Sequence, residues 1–237
     1  MQHFDYAKSI TPFTKTIYQN PLSSPQDTKS FVLEGSADVS FPEGRMRLSS
    51  VLDPSLGQAA NYVYWCDEAF PSDVLIEWEF TPIDPVGLCI MFFSSTNRQG
   101  GCVFDVEKPR TGRYEQYYNG EINAFHVSYF RTNAVRDAQR GEKLRLCNLR
   151  KSHGFHMAAQ GGDPIPEFDL ILPPYPPFKI SVLKHGPDVA FYVQGILSFW
   201  YHDDGVTHGA LLGGGRVGFR QMSPMTGEYA NLVVKTL

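Results

Sequence analysis

The sequence is short of paired cysteines, of like-charged runs and of long apolar stretches, and each shortage narrows what the chain does. Its four cysteines, Cys66, Cys89, Cys102 and Cys147, have neither C-x-x-C pairing nor metal-ligand spacing. Cys66 and Cys89 fall in strand-like apolar runs, so they read as buried free thiols rather than disulfide partners. No N-x-S/T acceptor occurs, and the start, MQHFDYAKSITPF, lacks the basic and apolar regions of a secretory signal. A cytoplasmic location is therefore expected. No stretch approaches the roughly 20 apolar residues of a membrane span, so no membrane partner is expected. The formal charge of −4 comes without a basic stripe, apart from the short cluster Arg145–Lys151 (RLCNLRK), which argues against a nucleic-acid surface.

Familiar catalytic motifs are absent too. There is no G-x-S-x-G elbow, no Walker loop, no G-x-G-x-x-G opening a helix and no H-E-x-x-H. Retaining glucanases of the concanavalin-like fold hold two carboxylates close together with E-x-D-x-x-E on one strand. Glu77, Glu79 and Asp84 do not match that spacing, and Asp105 with Glu107 sits beside Pro109 in a loop.

What the chain has is aromatic residues (14%), 21 glycines and 17 prolines against only 19% charged residues, a composition that suits short strands and turns. Strand-like runs recur at Ser30–Leu33, Arg45–Ser49, Tyr62–Cys66, Val74–Thr81, Gly87–Ser94, Ala124–Thr132, Arg145–Lys151, Phe178–Lys184, Asp188–Gln194, Leu197–Tyr201, Arg216–Met222 and Ala230–Thr236. Ile76, Trp78 and Phe80 alternate with Glu77 and Glu79, as in a strand wet on one face. Leu88–Phe93 is apolar on both sides and should be a central, fully covered strand. A hairpin is expected across Gln194-Gly195. Residues 95–120 read as a long ordered loop, and 161–177 hold too many prolines for a central strand. These features predict an all-β, two-sheet antiparallel jelly-roll sandwich. One domain over 1–237 is expected, with a short lead-in of about fifteen residues.

The candidate site residues cluster mid-chain. The loop 110–121 offers Arg113, Tyr114, Tyr117 and Tyr118. The next run places Asn123, Tyr129 and Arg131 on one face and His126 with Ser128 on the other; a bulge could reverse His126. Asn148 and Arg150 share a face with Lys151 opposite, His156 follows, and a late strand brings Arg220 and Gln221. Aromatic faces stack on sugar rings, amides reach hydroxyls, and the Arg fork grips a carboxylate. Cross-strand pairs rimming a sheet would use the same residue types.

Across these segments the chain resembles the YesU-like family of concanavalin-like proteins, whose bacterial namesake belongs to a gene set for rhamnogalacturonan breakdown. The resemblance is carried by Asn20-Pro-Leu22, Trp65-Cys66, Phe70-Pro71, Pro85 with Gly87-Leu-Cys89, Phe92-Phe93, Arg110-Thr-Gly112, Ile122-Asn-Ala124 and Ser128-Tyr-Phe-Arg131. It continues through Cys147-Asn-Leu-Arg-Lys-Ser152, Gly154-Phe-His156, Asp163-Pro164, Asp203-Asp-Gly205 and Gly218-Phe-Arg-Gln-Met222. Departures fall at a longer lead-in and around Gln99–Gly101, Asn133–Glu142 and Ile165–Pro176. The resemblance implies a jelly roll and polysaccharides bearing uronic acids; it carries no mechanism.

Three readings follow. The first is an enzyme acting on uronic-acid-containing oligosaccharides, by β-elimination, with Tyr129 or His126 as base and Arg131, with Asn148 or Gln221, neutralising the carboxylate. Substrate-binding roles then fall to Trp65, Tyr114, Tyr117, Asn123, Asn148, Arg150, Lys151, His156, Arg220 and Gln221. The second is a non-catalytic, lectin-like binder using the same side chains. The third is a glycoside hydrolase with an acid pair from Glu68, Asp105, Glu121 and Asp203. No cofactor is expected; Asp203 and Asp204 could hold a structural calcium, but D-D-G reads first as a turn.

Overall fold

Alternation of apolar and polar residues sets the architecture. The computed structural model describes residues 8, 10–84, 86–132, 146–162 and 174–237, without the side chains of 131 and 132. These residues form two antiparallel sheets facing one another across a core. Sheet A runs in the order β13 (Ile196–His202), β12 (Asp188–Val193), β11 (Phe178–His185), β6 (Val74–Asp84), β15 (Thr226–Thr236), β4 (Met46–Ser50) and β3 (Ala37–Ser40). A further strand, β1 (Lys15–Asn20), pairs with β15. Sheet B runs β10 (His156–Gly162), β9 (Leu146–Ser152), β8 (Ile122–Thr132), β7 (Gly87–Asn97), β14 (Gly215–Met222), β5 (Tyr62–Phe70) and β2 (Val32–Glu34).

The period-2 pattern of β6 resolves as expected. Ile76, Trp78 and Phe80 enter the inter-sheet core, while Glu77 faces out and pairs with Lys179 at 2.9 Å and Lys235 at 2.7 Å. Strand β7 is central and buried on both faces: Cys89, Met91 and Phe93 join the core, and Ile90 and Phe92 join a second apolar cluster outside sheet B. The β12–β13 hairpin turns at Gln194 and Gly195, both with positive φ (53° and 74°), the backbone a tight hairpin needs. Of the run 161–177, residues 163–173 lie outside the described residues, as does Arg145.

The outer cluster decides where a site can be. Its lid is the expected long loop, which carries the one-turn helix α1 (Glu115–Tyr118). Val103 and Tyr117 from the lid pack onto Val63, Trp65, Ile90, Phe92 and Ala124 of the sheet. Trp65 is thereby fully buried, its ring 5.4 Å from Phe92 and 6.4 Å from Tyr117. A bidentate ion pair fixes the lid: Arg110 Nε and Nη2 donate to Glu34 at 3.0 and 2.6 Å, and Tyr117 Oη donates to Glu34 at 2.8 Å. The lid covers β2, β5, β14 and β7 and reaches onto β8; among the described residues it leaves Ser128, Asn148 and Gln160, farther along β8, β9 and β10, at least partly exposed.

Candidate functional site

Antiparallel register places side chains in rows across sheet B. One row on the outer face runs Glu34, Val63, Arg220, Ile90, Ser128, Asn148 and Gln160. The row beside it runs Trp65, Gly218, Phe92, His126, Arg150 and Met157. Both rows start under the lid and emerge on β8, β9 and β10. There Ser128 and Asn148 are half-buried, Gln160 is exposed, and Gln160 Nε2 donates to Asn148 Oδ1 at 2.8 Å.

An aromatic wall stands along this open floor. Tyr114 and Tyr118 come from the lid, and Phe155 comes from the turn between β9 and β10. Their ring centroids lie 4.6 to 5.8 Å apart. Gly154 N–H donates to the Tyr118 carbonyl at 2.6 Å, which docks the turn onto α1. Phe155 is 48% exposed despite its size, and the Arg150 guanidinium lies 3.7 Å from its ring centroid. Among the described residues no carboxylate pairs with Arg150, whose Nη1 donates to the Phe155 carbonyl at 3.5 Å.

Beneath the wall lies a short polar chain. Tyr114 Oη is 2.8 Å from His126 Nδ1, and His126 Nε2 is 3.0 Å from Ser152 Oγ. Burial, reinforced by the positive charges of Arg150 and Arg220, lowers the His126 pKa to about 3. Burial pushes the Tyr114 phenol up to about 12, although Arg220 and Arg150 oppose the rise. At neutral pH the imidazole is therefore uncharged and Tyr114 keeps its proton.

The candidates from the sequence thus separate. Tyr114, Asn148 and Arg150 converge on the open floor, with His126 directly below. Trp65, Tyr117 and Arg220 share that face but are sealed by the lid. Tyr129, read as a base, instead lies in the inter-sheet core, where Trp78 Nε1 donates to its Oη at 3.2 Å and Phe80 and Phe191 pack against it. Gln221 also faces inward, its amide bonded to Tyr62 Oη, the Leu48 carbonyl and the Gly227 N–H. Lys151 Nζ is buried on Asp203 at 2.6 Å and on the Gly209 carbonyl at 2.9 Å. That pair also occupies one candidate acid of the hydrolase reading. His156, opposite Lys151, stacks on His208 at 5.0 Å. Asn123 Nδ2 donates to the carbonyls of Asn97 and Arg98, closing the base of the lid. Arg131 is the penultimate residue of β8, and its side chain lies outside the described residues.

Sequence reasoning missed Gln160, Phe155 and Gln58, whose Oε1 accepts from Arg220 Nη2 at 3.2 Å and from the Tyr114 N–H at 3.2 Å. Phe155 follows the C-N-L-R-K-S string and had a signal in that proximity. Gln58 sits in a polar turn and had none. Among the described residues no group of three or more His, Cys, Asp or Glu side chains is placed to hold a metal ion, and no helix is long and apolar enough to cross a membrane.

Comparison with known proteins gives this geometry its context. A family model described as domain of unknown function (DUF1961) matches residues 15–234. The chain is 40% identical over 219 residues to the uncharacterized protein YesU of Bacillus subtilis (strain 168), covering 92% of this chain and 94% of that one. It superposes on a crystal structure of a Bacillus subtilis protein of unknown function with a galectin-like fold. That match has a TM-score of 0.85 at 38% identity, over 94% of this chain and 97% of the other. A Bacillus licheniformis β-glucanase shares the fold alone, with a TM-score of 0.55 at 11% identity, over 94% and 99% of the two chains. The two-sheet jelly roll expected from the sequence is the observed fold.

Proposed function

The chain belongs to the DUF1961 family, and from that footing we propose that it binds acidic oligosaccharides across β8, β9 and β10. The observation that carries the reading is Arg150, a half-exposed guanidinium on an exposed aromatic ring, next to the Asn148–Gln160 amide pair. The aromatic wall suits the apolar face of a sugar ring. The amides and Ser128 suit its hydroxyls, and the Arg fork suits a carboxylate.

A second reading, β-elimination, draws on the chain from Tyr114 through His126 to Ser152. Proton abstraction works best with a base whose pKa is near the working pH. Tyr114 near 12 and His126 near 3 lie far to either side of neutrality. Tyr129, in the core, contributes nothing to it. Binding therefore takes precedence over turnover.

Calorimetric titration with oligogalacturonides, alongside assays for unsaturated uronate and new reducing ends, separates the readings. Binding without product is expected, with Arg150→Ala and Asn148→Ala each weakening affinity about tenfold, or ~1.4 kcal/mol. Product formation that disappears in Tyr114→Phe reverses the order of the two readings. Absence of both binding and product removes the saccharide assignment.

A further inference from the structure

Among the described residues Arg220 is paired with no anion. It is 0% exposed, in the same row as Ser128, Asn148 and Gln160, two strands from the open floor. Its Nε and Nη1 meet no acceptor among the described residues. Aromatic rings flank its guanidinium, with the Tyr114 ring centroid at 4.9 Å and the Tyr117 centroid at 5.8 Å. Glu34, the carboxylate on that row, is taken up by Arg110 and Tyr117. A buried charge lacking a partner is costly, and such a site calls for an acceptor.

The acceptor Arg220 does have is unusual. Gln58 Oε1 takes Arg220 Nη2 at 3.2 Å, Asn61 Nδ2 at 3.0 Å and the Tyr114 N–H at 3.2 Å. Three donors on one neutral amide oxygen describe the environment of a carboxylate oxygen. Gln58 belongs to the turn Pro54–Ala60, whose residues are exposed through Gln58 and which bends at Gly57 (φ 58°, ψ −122°). It is the surface cover of an otherwise buried cation.

We propose that Arg220 is the anchor for a carboxylate on the ligand, and that Gln58 holds that carboxylate's place in the free protein. The ligand's carboxylate enters beside Tyr114, takes over the three donors as Gln58 swings out with its turn, and bridges Nη2 to one of the two idle guanidinium nitrogens. Arg220 thereby sets the preference for acidic over neutral chains, while Arg150 and the amides of the open floor grip the remainder. This rests on the saccharide reading above for the nature of the ligand, though not for the demand of Arg220 for an anion.

The substitution Gln58→Glu tests the two parts separately, because it supplies the missing charge from within. The variant should melt several degrees above wild type. It should bind oligogalacturonides at least tenfold more weakly, while its binding of neutral galacto-oligosaccharides is unchanged. Adding Arg220→Gln should erase the stability gain, a coupling that a general surface-charge effect would not produce. Gln58→Ala should keep or improve acidic-ligand affinity. No stability gain in Gln58→Glu, or equal weakening of acidic and neutral binding, overturns the role of Arg220. A coupled gain in stability with no saccharide bound by wild type keeps the anion demand of Arg220, but overturns its assignment to a saccharide ligand and the function proposed above.

Discussion

His126 sits with both ring nitrogens hydrogen-bonded at 1% exposure, and its pKa near 3 makes it neutral throughout the physiological range. The unfolded chain returns it to the ordinary value of 6.5. Between about pH 6.5 and 3 the unfolded state therefore binds a proton that the folded state refuses, and stability falls as pH falls. The slope from this one group approaches ~1.4 kcal/mol per pH unit. Glu77 responds lower: burial raises its pKa, but hydrogen bonds and charge from Lys179 and Lys235 outweigh that. Its own loss of stability begins only as pH drops below the free value of 4.5. Urea unfolding at pH 6.5 and pH 5 should thus show a drop that His126→Gln flattens; an equal drop in the variant would assign the loss elsewhere. At this scale the sequence was legible in residue type but not in facing. Tyr129 and Gln221 belong to a sugar-binding vocabulary, yet each points into the core. Alternation did place Tyr129 opposite His126 and Ser128, and Gln221 opposite Arg220; which face meets the other sheet is decided by how the two sheets pack, which the pattern within one strand does not encode.

At the scale of elements, the predicted strands recur with ends shifted by a few residues, because alternation and turn-formers mark them. Strands β1, β3 and β10 were not legible. β3 and β10 close the edges of their sheets and β1 lies off the main order, so half their pairing and burial is missing. β10 (HMAAQGG) even lacks β-branched residues, and its position depends on pairing with β9. The lid was legible as an ordered loop, but its attachment was not. Gly112 is where the lid meets the sheet: its φ is +88°, and a Cβ there would lie 1.9 Å from the Asn61 carbonyl oxygen. Gly112→Ala pays both a left-handed backbone cost of ~1–2 kcal/mol and the displacement needed to clear that carbonyl. Denaturant titration should show a loss above ~2 kcal/mol. Because Tyr114 and Asn61 hang from the same junction, ligand affinity should fall with it. Unchanged stability would mean that the lid is not seated through this contact.

Among the described residues sheet B has an apolar compartment on each side, of unequal size, and a third, small cluster lies on the outer face of sheet A. The inter-sheet core draws on both sheets, whereas the outer cluster is closed by a single segment. That segment is held by Arg110 and Glu34, whose side chains are 4% and 10% exposed, and by hydrogen bonds at its base. Losing one partner of such a pair leaves an uncompensated buried charge, worth ~3–5 kcal/mol. The lid can open while the sandwich stays closed, since none of the inter-sheet packing passes through it; such sub-global openings are the usual behaviour of peripheral units. Native-state hydrogen exchange should therefore find amides of 103–118 exchanging through an opening distinctly cheaper than that of β7 and β8. Glu34→Gln should bring the lid amides close to unprotected rates while β7 and β8 keep most of their protection. Lid amides that exchange only with global unfolding would sink the idea. The opening also matters for binding, because Tyr114 and Tyr118 belong to the aromatic wall and Arg220 lies behind Tyr114. A ligand that engages all three should slow lid exchange in proportion to its affinity, by RT ln(1 + [L]/Kd). A ligand held by Arg150 and the amides alone should leave it unchanged. The same exchange experiment therefore reports how far under the lid a saccharide reaches.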